Sequence, residues 1–489
     1  MADKIENKAG KCVTAALTDF VYNSRYEDLP AEAVHETKRI LLDTIGVAIA
    51  GNTVEKGKLA VKLAKRNGGD NEATVIGGGK VAAANAAFAN GELMNALDWD
   101  ITCPAGHLTP CVMPAPMAMG EVADAKGKDL VLATALSHEV AIRISRSLGN
   151  QRSIVESKGK AKQVLNPRYG FGFSTIAGAA ASAKIMGLER DKINDAIGLA
   201  AGLAPVPSMA KWYRTAPPST MSKYTSAGWV AQASATAALL AESGYRGDRT
   251  ALDGQWGFWR MFALGNKWKY EAILNGLGTD WAFTDEINHK VYPCCGVMQI
   301  GLDLLGQIKR ENNLKPEEIE KVKIFADPLT KQPIWTSKTV ETNVDAQFSI
   351  PYVYAAQLMG IEPVKWQLPE TYRRADVVAA MDKIESKENP DYFKVFLSTP
   401  NAKERPMGSG SPTVVKVYAR GQVFSKEGNF AKGRSLPKEF RFTDEEVVEK
   451  FLVTAGTRFS DNRVREIIDM VERIEELGSM RELMNAVAE

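Results

Sequence analysis

Histidine and cysteine are scarce in this chain: its 489 residues carry four histidines and five cysteines. Cys12, Cys103, Cys111, Cys294 and Cys295 are odd in number and contain no Cys-x-x-Cys pair, which disfavours a disulfide framework and points to a reducing compartment, the cytoplasm. An excess of one charge is lacking as well. Lys plus Arg total 61 against 59 Asp plus Glu, so nothing in the balance calls for a nucleic-acid partner. Long apolar runs are missing: LLDTIGVAIAG and LVLATAL are too short or too interrupted to cross a bilayer, and MADKIENKAGK leads into no export-type apolar core. Glycine signatures are missing too, since the chain has no G-x-G-x-x-G, P-loop, H-E-x-x-H or G-x-S-x-G motif, and the run in TVIGGGK alone assigns no nucleotide site. Neither a repeat nor a biased linker is evident, which favours a compact enzyme with a small-molecule partner over a string of modules.

What is present is helical periodicity. In EAVHETKRILLDTIGVAIAGN, Val34, Lys38, Leu41, Ile45 and Ala48 fall near one stripe and His35, Arg39 and Asp43 near another, with Gly51 as a stop. Alanine-rich helices follow in KVAAANAAFANGELMNALDWD, GKDLVLATALSHEVAIRISRSLG, STIAGAAASAKIMGL and WVAQASATAALLAESG, whose small side chains permit close contacts. Alternating segments appear later, at 321–326 (KVKIFA) and 411–424 (SPTVVKVYARGQVF), and predict strands. GVMQIGLDLLGQIKRENNL, AQFSIPYVYAAQLMG and TYRRADVVAAMDKIE predict helices. The expected architecture is mainly α with a smaller α+β domain: a large helical domain over 1–274, an α+β lid domain over 275–427, and C-terminal helices over 428–489, whose return to the large domain periodicity alone does not show.

Polar density peaks in NALDWDITCPAGHLTPC, with Asp98, Asp100, Thr102, Cys103, His107 and Cys111. One reading is a helix-ending loop in which Asp and Thr cap backbone N–H groups and His107 satisfies a carbonyl. The other makes His107 a proton carrier near neutral pH, tuned by Asp98, with Thr102 donating to a substrate oxygen. The spacing matches no standard zinc signature, and the cysteines make a weak iron–sulfur set, so no metal and no cofactor are expected. In KWYRTAPPSTMSKYTSAGW, Arg214 offers a fork for a carboxylate and Lys223 a point charge or, if buried, a proton carrier, while a solvated loop is the plainer alternative. HKVYPCCGVMQ, with His289 and Lys290, is another candidate cleft edge. Tyr352, in a helical segment, suits a core position and equally a hydroxyl that protonates or orients an oxygen. His35 and His138 suit structural roles.

Taken together, LPAEAVHETKRILLDTIGVAIAG, NALDWDITCPAGHLTP, SKYTSAGWVAQASATAALLAESGYRG and NVDAQFSIPYVYAAQLMG resemble the MmgE/PrpD family, which includes 2-methylcitrate dehydratases, cis-aconitate decarboxylases and an iminodisuccinate epimerase. The resemblance spans nearly the whole chain. It implies a helical domain made from both chain ends, an inserted α+β domain, an active cleft where they meet, and a homodimer. It also implies a site at Asp98, Thr102, His107, Lys223 and Tyr352. Departures stand beside it: Tyr169 falls near a position where the family commonly has histidine, Thr225 near another, and Gly296, Val297, Met298 and Gln299 occupy a turn that often carries basic residues. The expected activity is therefore a cofactor-independent lyase that dehydrates a small hydroxylated di- or tricarboxylate. His107, Asp98, Lys223 and Tyr352 are its expected catalytic residues, and Thr102, Arg214, Tyr169 and Lys290 its substrate contacts. Decarboxylation, epimerisation and carboxylate binding without turnover are the alternatives, because a fold alone selects no reaction.

Overall fold

Small residues set the spacing of the helical part. In the computed structural model a Cβ added to Gly228 would stand 2.5 Å from the Phe88 carbonyl oxygen. Helices Ala83–Asn95 and Ala227–Glu242 therefore meet backbone to backbone, a contact that any larger residue would open. The structure describes residues 12–149, 152–157, 160–165, 170–206, 209–224, 226–262, 268–394 and 410–488, with backbone alone for the two segments between 152 and 165. Around the Ala83–Asn95 pair pack Val13–Asn23, Ala31–Gly51, Pro114–Val122, Gly127–Leu148, Thr175–Ile185 and Arg190–Leu203. The Ala31–Gly51 helix is more deeply placed than its two-striped sequence predicts, being buried on every side from Arg39 to Gly51. Such a helix must pair its charges internally.

Two short hairpins decorate this part: β1 (Ala73–Thr74) with β2 (Lys80–Val81), and β3 (Arg152–Ser157) with β4 (Lys160–Leu165). The glycines of TVIGGGK form the first hairpin's turn, where Val75 N–H reaches the Gly79 carbonyl at 3.0 Å.

A four-stranded sheet follows, made of β5 (Ile319–Ala326), β6 (Ile384–Glu388), β7 (Thr413–Ala419) and β8 (Gln422–Gly428) in the order β6-β5-β7-β8. Only β5 and β6 run parallel. Arg420 and Gly421, both at positive φ, make the tight β7–β8 turn, the hand of turn that matches strand twist. Helix Gln299–Glu311 covers β7 and β8. The helix expected through TYRRADVVAAMDKIE is shorter than its sequence suggests: it ends at Ala380, and β6 begins at Ile384. Helices Asn343–Phe348 and Ile350–Leu358 divide AQFSIPYVYAAQLMG at Ser349, whose side chain caps the second helix through Tyr352 N–H.

Helix Asp444–Ala455 lies along Ala31–Gly51, so residues from near the two chain ends pack together. No disulfide forms among the cysteines. No helix of the described residues is long and apolar enough to cross a membrane.

Candidate active site

The Ala83–Asn95 helix ends just before the polar segment, and Asp98 turns the chain there with φ at 53°. Aspartate tolerates that left-handed conformation better than most residues. The segment then runs antiparallel to residue 288 for one bridge: Thr102 N–H donates to the Asn288 carbonyl at 3.0 Å and Asn288 N–H returns to Thr102 at 2.7 Å. This bridge brings the 288–290 segment, and with it Lys290, beside Asp98.

Asp98 is fully buried and bridged by two ammonium groups. Lys223 Nζ donates to Oδ1 at 2.9 Å and to the Asn95 carbonyl at 3.0 Å, while Lys290 Nζ donates to Oδ2 and to the Asp98 carbonyl, both at 2.7 Å. The Tyr224 hydroxyl reaches the same Oδ1 at 3.3 Å. Burial alone would push the Asp98 carboxyl up, but Lys223, Lys290 and His107 outweigh it and hold the group well below the usual carboxylate range. Burial draws Lys223 down to about 8 despite the opposing pull of Asp98. Lys290 is buried too, yet Asp98 and Asp100 raise it above its ordinary value.

His107 sits above this cluster. Its Nδ1 is 2.7 Å from Asp100 Oδ2, and its Nε2 is 3.8 Å from Asp98 Oδ1, beyond hydrogen-bond range. Asp100 is oriented in turn by Asn95 Nδ2 at 3.2 Å. A carboxylate opposite Nδ1 favours the proton there, leaving Nε2 as the nitrogen with its lone pair turned away from Asp100. The His107 side chain keeps 14% exposure, against 0% for Asp98 and Lys223 and 4% for Lys290, so His107 is the edge of the cluster that a solute meets. Tyr224 and Phe171 wall the imidazole at ring-centroid distances of 5.4 and 6.2 Å. Trp212 packs edge-on against Tyr224 at 5.4 Å. Such walls fix the ring and lower the local dielectric.

A second buried charge network adjoins the first. His289 Nδ1 is 2.7 Å from Asp43 and its Nε2 3.4 Å from Glu36. Lys450 Nζ donates to both Asp43 oxygens and to the Trp99 carbonyl, each at 2.9 Å. The peptide between Asp98 and Asp100 is thereby tied to Lys450, while the Trp99 indole N–H donates to the Lys290 carbonyl at 2.9 Å.

Asp98, His107, Lys223 and Lys290 thus come together as the sequence suggests, with one correction: the acid bonded to His107 is Asp100, and Asp98 serves the lysines. Tyr224 joins them from the donor-rich segment KWYRTAPPSTMSKYTSAGW, where the sequence offers it to a substrate carboxylate and the structure sets it against Asp98; Asn95 joins them without a role foreseen for it. Thr102 is half-buried and contributes the backbone bridge. Tyr352 is not brought to the cluster by any hydrogen bond among the described residues; its buried hydroxyl donates to the Trp366 carbonyl and its ring meets Tyr372 edge-on. Arg214 is exposed. Tyr169 and Thr225 lie outside the described residues. His138 is structural: Nδ1 bonds the Thr134 carbonyl at 2.8 Å, Nε2 lies 2.9 Å from the Thr109 hydroxyl, and burial draws the ring down to about 4. Asp98, Asp100 and His107 converge closely enough to suggest a metal triad. Their oxygens are already committed to two ammonium groups, an amide and an imidazole, and a divalent ion there would face the two ammonium charges, so the donor set does not fit one.

The chain is thus a two-part helical and α+β protein with a histidine–aspartate pair over a doubly bridged carboxylate. The MmgE/PrpD N-terminal domain matches residues 15–271 and the MmgE/PrpD C-terminal domain residues 292–476. The chain belongs to the MmgE/PrpD family. It is 24% identical to a cis-aconitate decarboxylase of Aspergillus terreus over 98% of this chain and 97% of that protein. It is 24% identical to a cis-aconitate decarboxylase-like protein of Aspergillus oryzae over 97% of both chains. The human cis-aconitate decarboxylase is 23% identical over 96% of this chain and 92% of its own length.

Proposed function

We propose that this protein is a cofactor-independent lyase of small di- or tricarboxylates, and that it removes water from a hydroxylated substrate. The observation that carries the reading is His107: its Nδ1 is engaged by Asp100, its Nε2 makes no hydrogen bond among the described residues and lies 3.8 Å from Asp98, and it is the partly exposed member of an otherwise buried acid–base cluster. Nε2 takes a proton from the carbon beside a substrate carboxylate, and Asp100 stabilises the imidazolium that forms. The hydroxide leaves with a proton from Tyr224. Burial and the nearby acids hold that phenol protonated, well above its ordinary value. Lys223 shares Asp98 Oδ1 with Tyr224 and restores the proton, its value of about 8 being matched to work near neutrality; after product leaves, His107 gives up the proton it took to solvent and Lys223 regains one from solvent, which closes the cycle. Asp98 stays an anion throughout, held by Lys290.

Decarboxylation is the second reading, favoured by the names of the full-length relatives. There the carbon–carbon bond to a carboxylate breaks, carbon dioxide departs, and protonated His107 delivers its proton to the carbanion left behind. Incubating purified protein with citrate-like hydroxyacids and with cis-aconitate separates the two. Dehydration yields an unsaturated acid without carbon dioxide, and decarboxylation releases carbon dioxide. His107→Asn should lower either turnover by about 10²- to 10⁴-fold with an unchanged circular-dichroism spectrum. A wild-type protein that transforms no acid, or a fully active His107→Asn variant, sinks the proposal. The homodimer implied by the family belongs to the same proposal; light scattering should give twice the 53.3 kDa of one chain.

A further inference from the structure

A substrate with two or three carboxylates needs cations, and the cluster around His107 has none to spare. The Lys223 and Lys290 ammonium groups are both spent on Asp98. The turn at 296–299 reads Gly-Val-Met-Gln and offers no charge. The missing cation is found on the loop that follows the sheet. Gly433, at φ 87°, accepts the His289 N–H at 2.8 Å through its carbonyl, and a Cβ on it would stand 1.9 Å from the His289 carbonyl oxygen. Ser435 N–H and Oγ donate to Asn288 Oδ1 at 3.0 and 3.3 Å. Arg434, between them, is therefore held against the 288–290 segment that bridges to Thr102 and delivers Lys290 to Asp98.

Its guanidinium is anomalous. The other deeply placed arginines each face a carboxylate: Arg143 meets Glu139 and the carbonyls of Ile273, Asn275, Gly276 and Asp280, Arg39 meets Glu36, Asp444 and the Phe442 carbonyl, and Arg441 meets Glu36. Arg434 is half-buried and has no hydrogen bond or ion pair among the described residues. Burial without a compensating anion draws it down to about 10, although guanidinium keeps its proton at any working pH. A half-buried five-donor fork with no partner among the described residues is free to engage an incoming carboxylate through two parallel hydrogen bonds. No carboxylate of the Asp98–Asp100 cluster pairs with it, so it lies outside ion-pair reach of those two acids.

We propose that Arg434 is a specificity-determining residue that receives a substrate carboxylate remote from the carbon served by His107. The inference rests on the carboxylate-lyase reading and names the charge which that reading otherwise lacks. It fits a substrate with at least two carboxylates and disfavours monoacids.

Tricarballylate is the probe that keeps this separable from the chemistry, because it carries three carboxylates and has no hydroxyl to lose. Calorimetric titration of the full chain should show tricarballylate binding weakened about 10- to 100-fold in Arg434→Gln, with Arg434→Lys in between because a point charge replaces the fork. Unliganded Arg434→Gln should melt at or above the wild-type temperature, since the substitution breaks no internal bond and removes an unpaired charge. Equal binding by wild type and Arg434→Gln, or no binding by wild type, overturns the inference. So does a fall in solution mass in Arg434→Gln with binding intact, which would assign the guanidinium to a contact between copies. Binding that depends on Arg434 without turnover of any acid leaves this inference standing and sinks the lyase reading. Turnover that is indifferent to Arg434→Gln does the reverse.

Discussion

Two aspartates two positions apart do different work because one backbone turn separates them. The positive φ of Asp98 points its carboxylate into the lysines, and the chain straightens so that Asp100 meets His107. Sequence spacing cannot make that distinction: both acids flank Trp99, and either could lie against an imidazole seven or nine residues on. The residue types of the site were legible, and the pairing among them was not. Lys223 supplies a test at this scale. Its ammonium is lost as pH rises through about 8, while Lys290, raised above its ordinary value, remains charged. The pH profile of kcat/KM should therefore bend downward on the alkaline side near 8. Lys223→Arg, which keeps its charge, should lower activity and push that bend at least one unit higher. A bend that stays in place in the arginine variant would acquit Lys223.

At the scale of elements, alanine-rich helices were plain in the sequence because their period and small side chains speak for themselves. Strand β6 and the β3–β4 hairpin were hidden. IESKE alternates poorly and is strand only because β5 lies beside it, and RSIVES and KAKQVL carry polar residues where a core strand would be apolar. Hidden in the same way is the pairing of the Ala31–Gly51 helix with His289. Burial opposes a charged imidazole there, but hydrogen bonds and charge from Asp43 and Glu36 raise His289 above its ordinary value. Asp43 and Glu36 are lowered against their own burial by His289 together with Lys450, Arg39 and Arg441. The signs follow. The histidine's contribution is complete below its unfolded value of about 6.5 and fades as pH climbs through the raised folded value. The carboxylates' contributions are present above their unfolded values and fade as pH falls through the lowered ones. His289→Gln should cost roughly 3 kcal/mol near pH 6, the cost of breaking a buried ionic pairing, and less at pH 9. Urea unfolding at both pH values reads the difference, and a constant gap between wild type and variant would show that His289 folds uncharged.

Across the whole molecule, the site depends on a contact between residues more than 400 positions apart. Lys450 reaches Asp43 and the Trp99 carbonyl only because helix Asp444–Ala455 lies close against Ala31–Gly51, and Gly46 permits that approach. Periodicity announces each helix alone and says nothing of this pairing; the expectation that the chain ends meet came from the family resemblance. A Cβ on Gly46 would stand 2.4 Å from Thr454 Oγ1 and 2.8 Å from Phe451 Cδ2, closer than packed atoms tolerate. Alanine is the better helix former by about 1 kcal/mol, so an isolated helix would gain from Gly46→Ala. In the folded chain, overpacking at about 1–3 kcal/mol opposes that gain, and the shifted helix draws Lys450 away from Trp99. Gly46→Ala should therefore lower kcat several-fold even where its urea midpoint moves little, because stability receives two opposing terms and the site only one. Thr454→Ala in the same chain removes the nearer clash and should recover part of both losses, a non-additive result that double-mutant comparison detects. Full activity in Gly46→Ala would mean that the Lys450 contact holds the Asp98–Asp100 segment no tighter than its own backbone does.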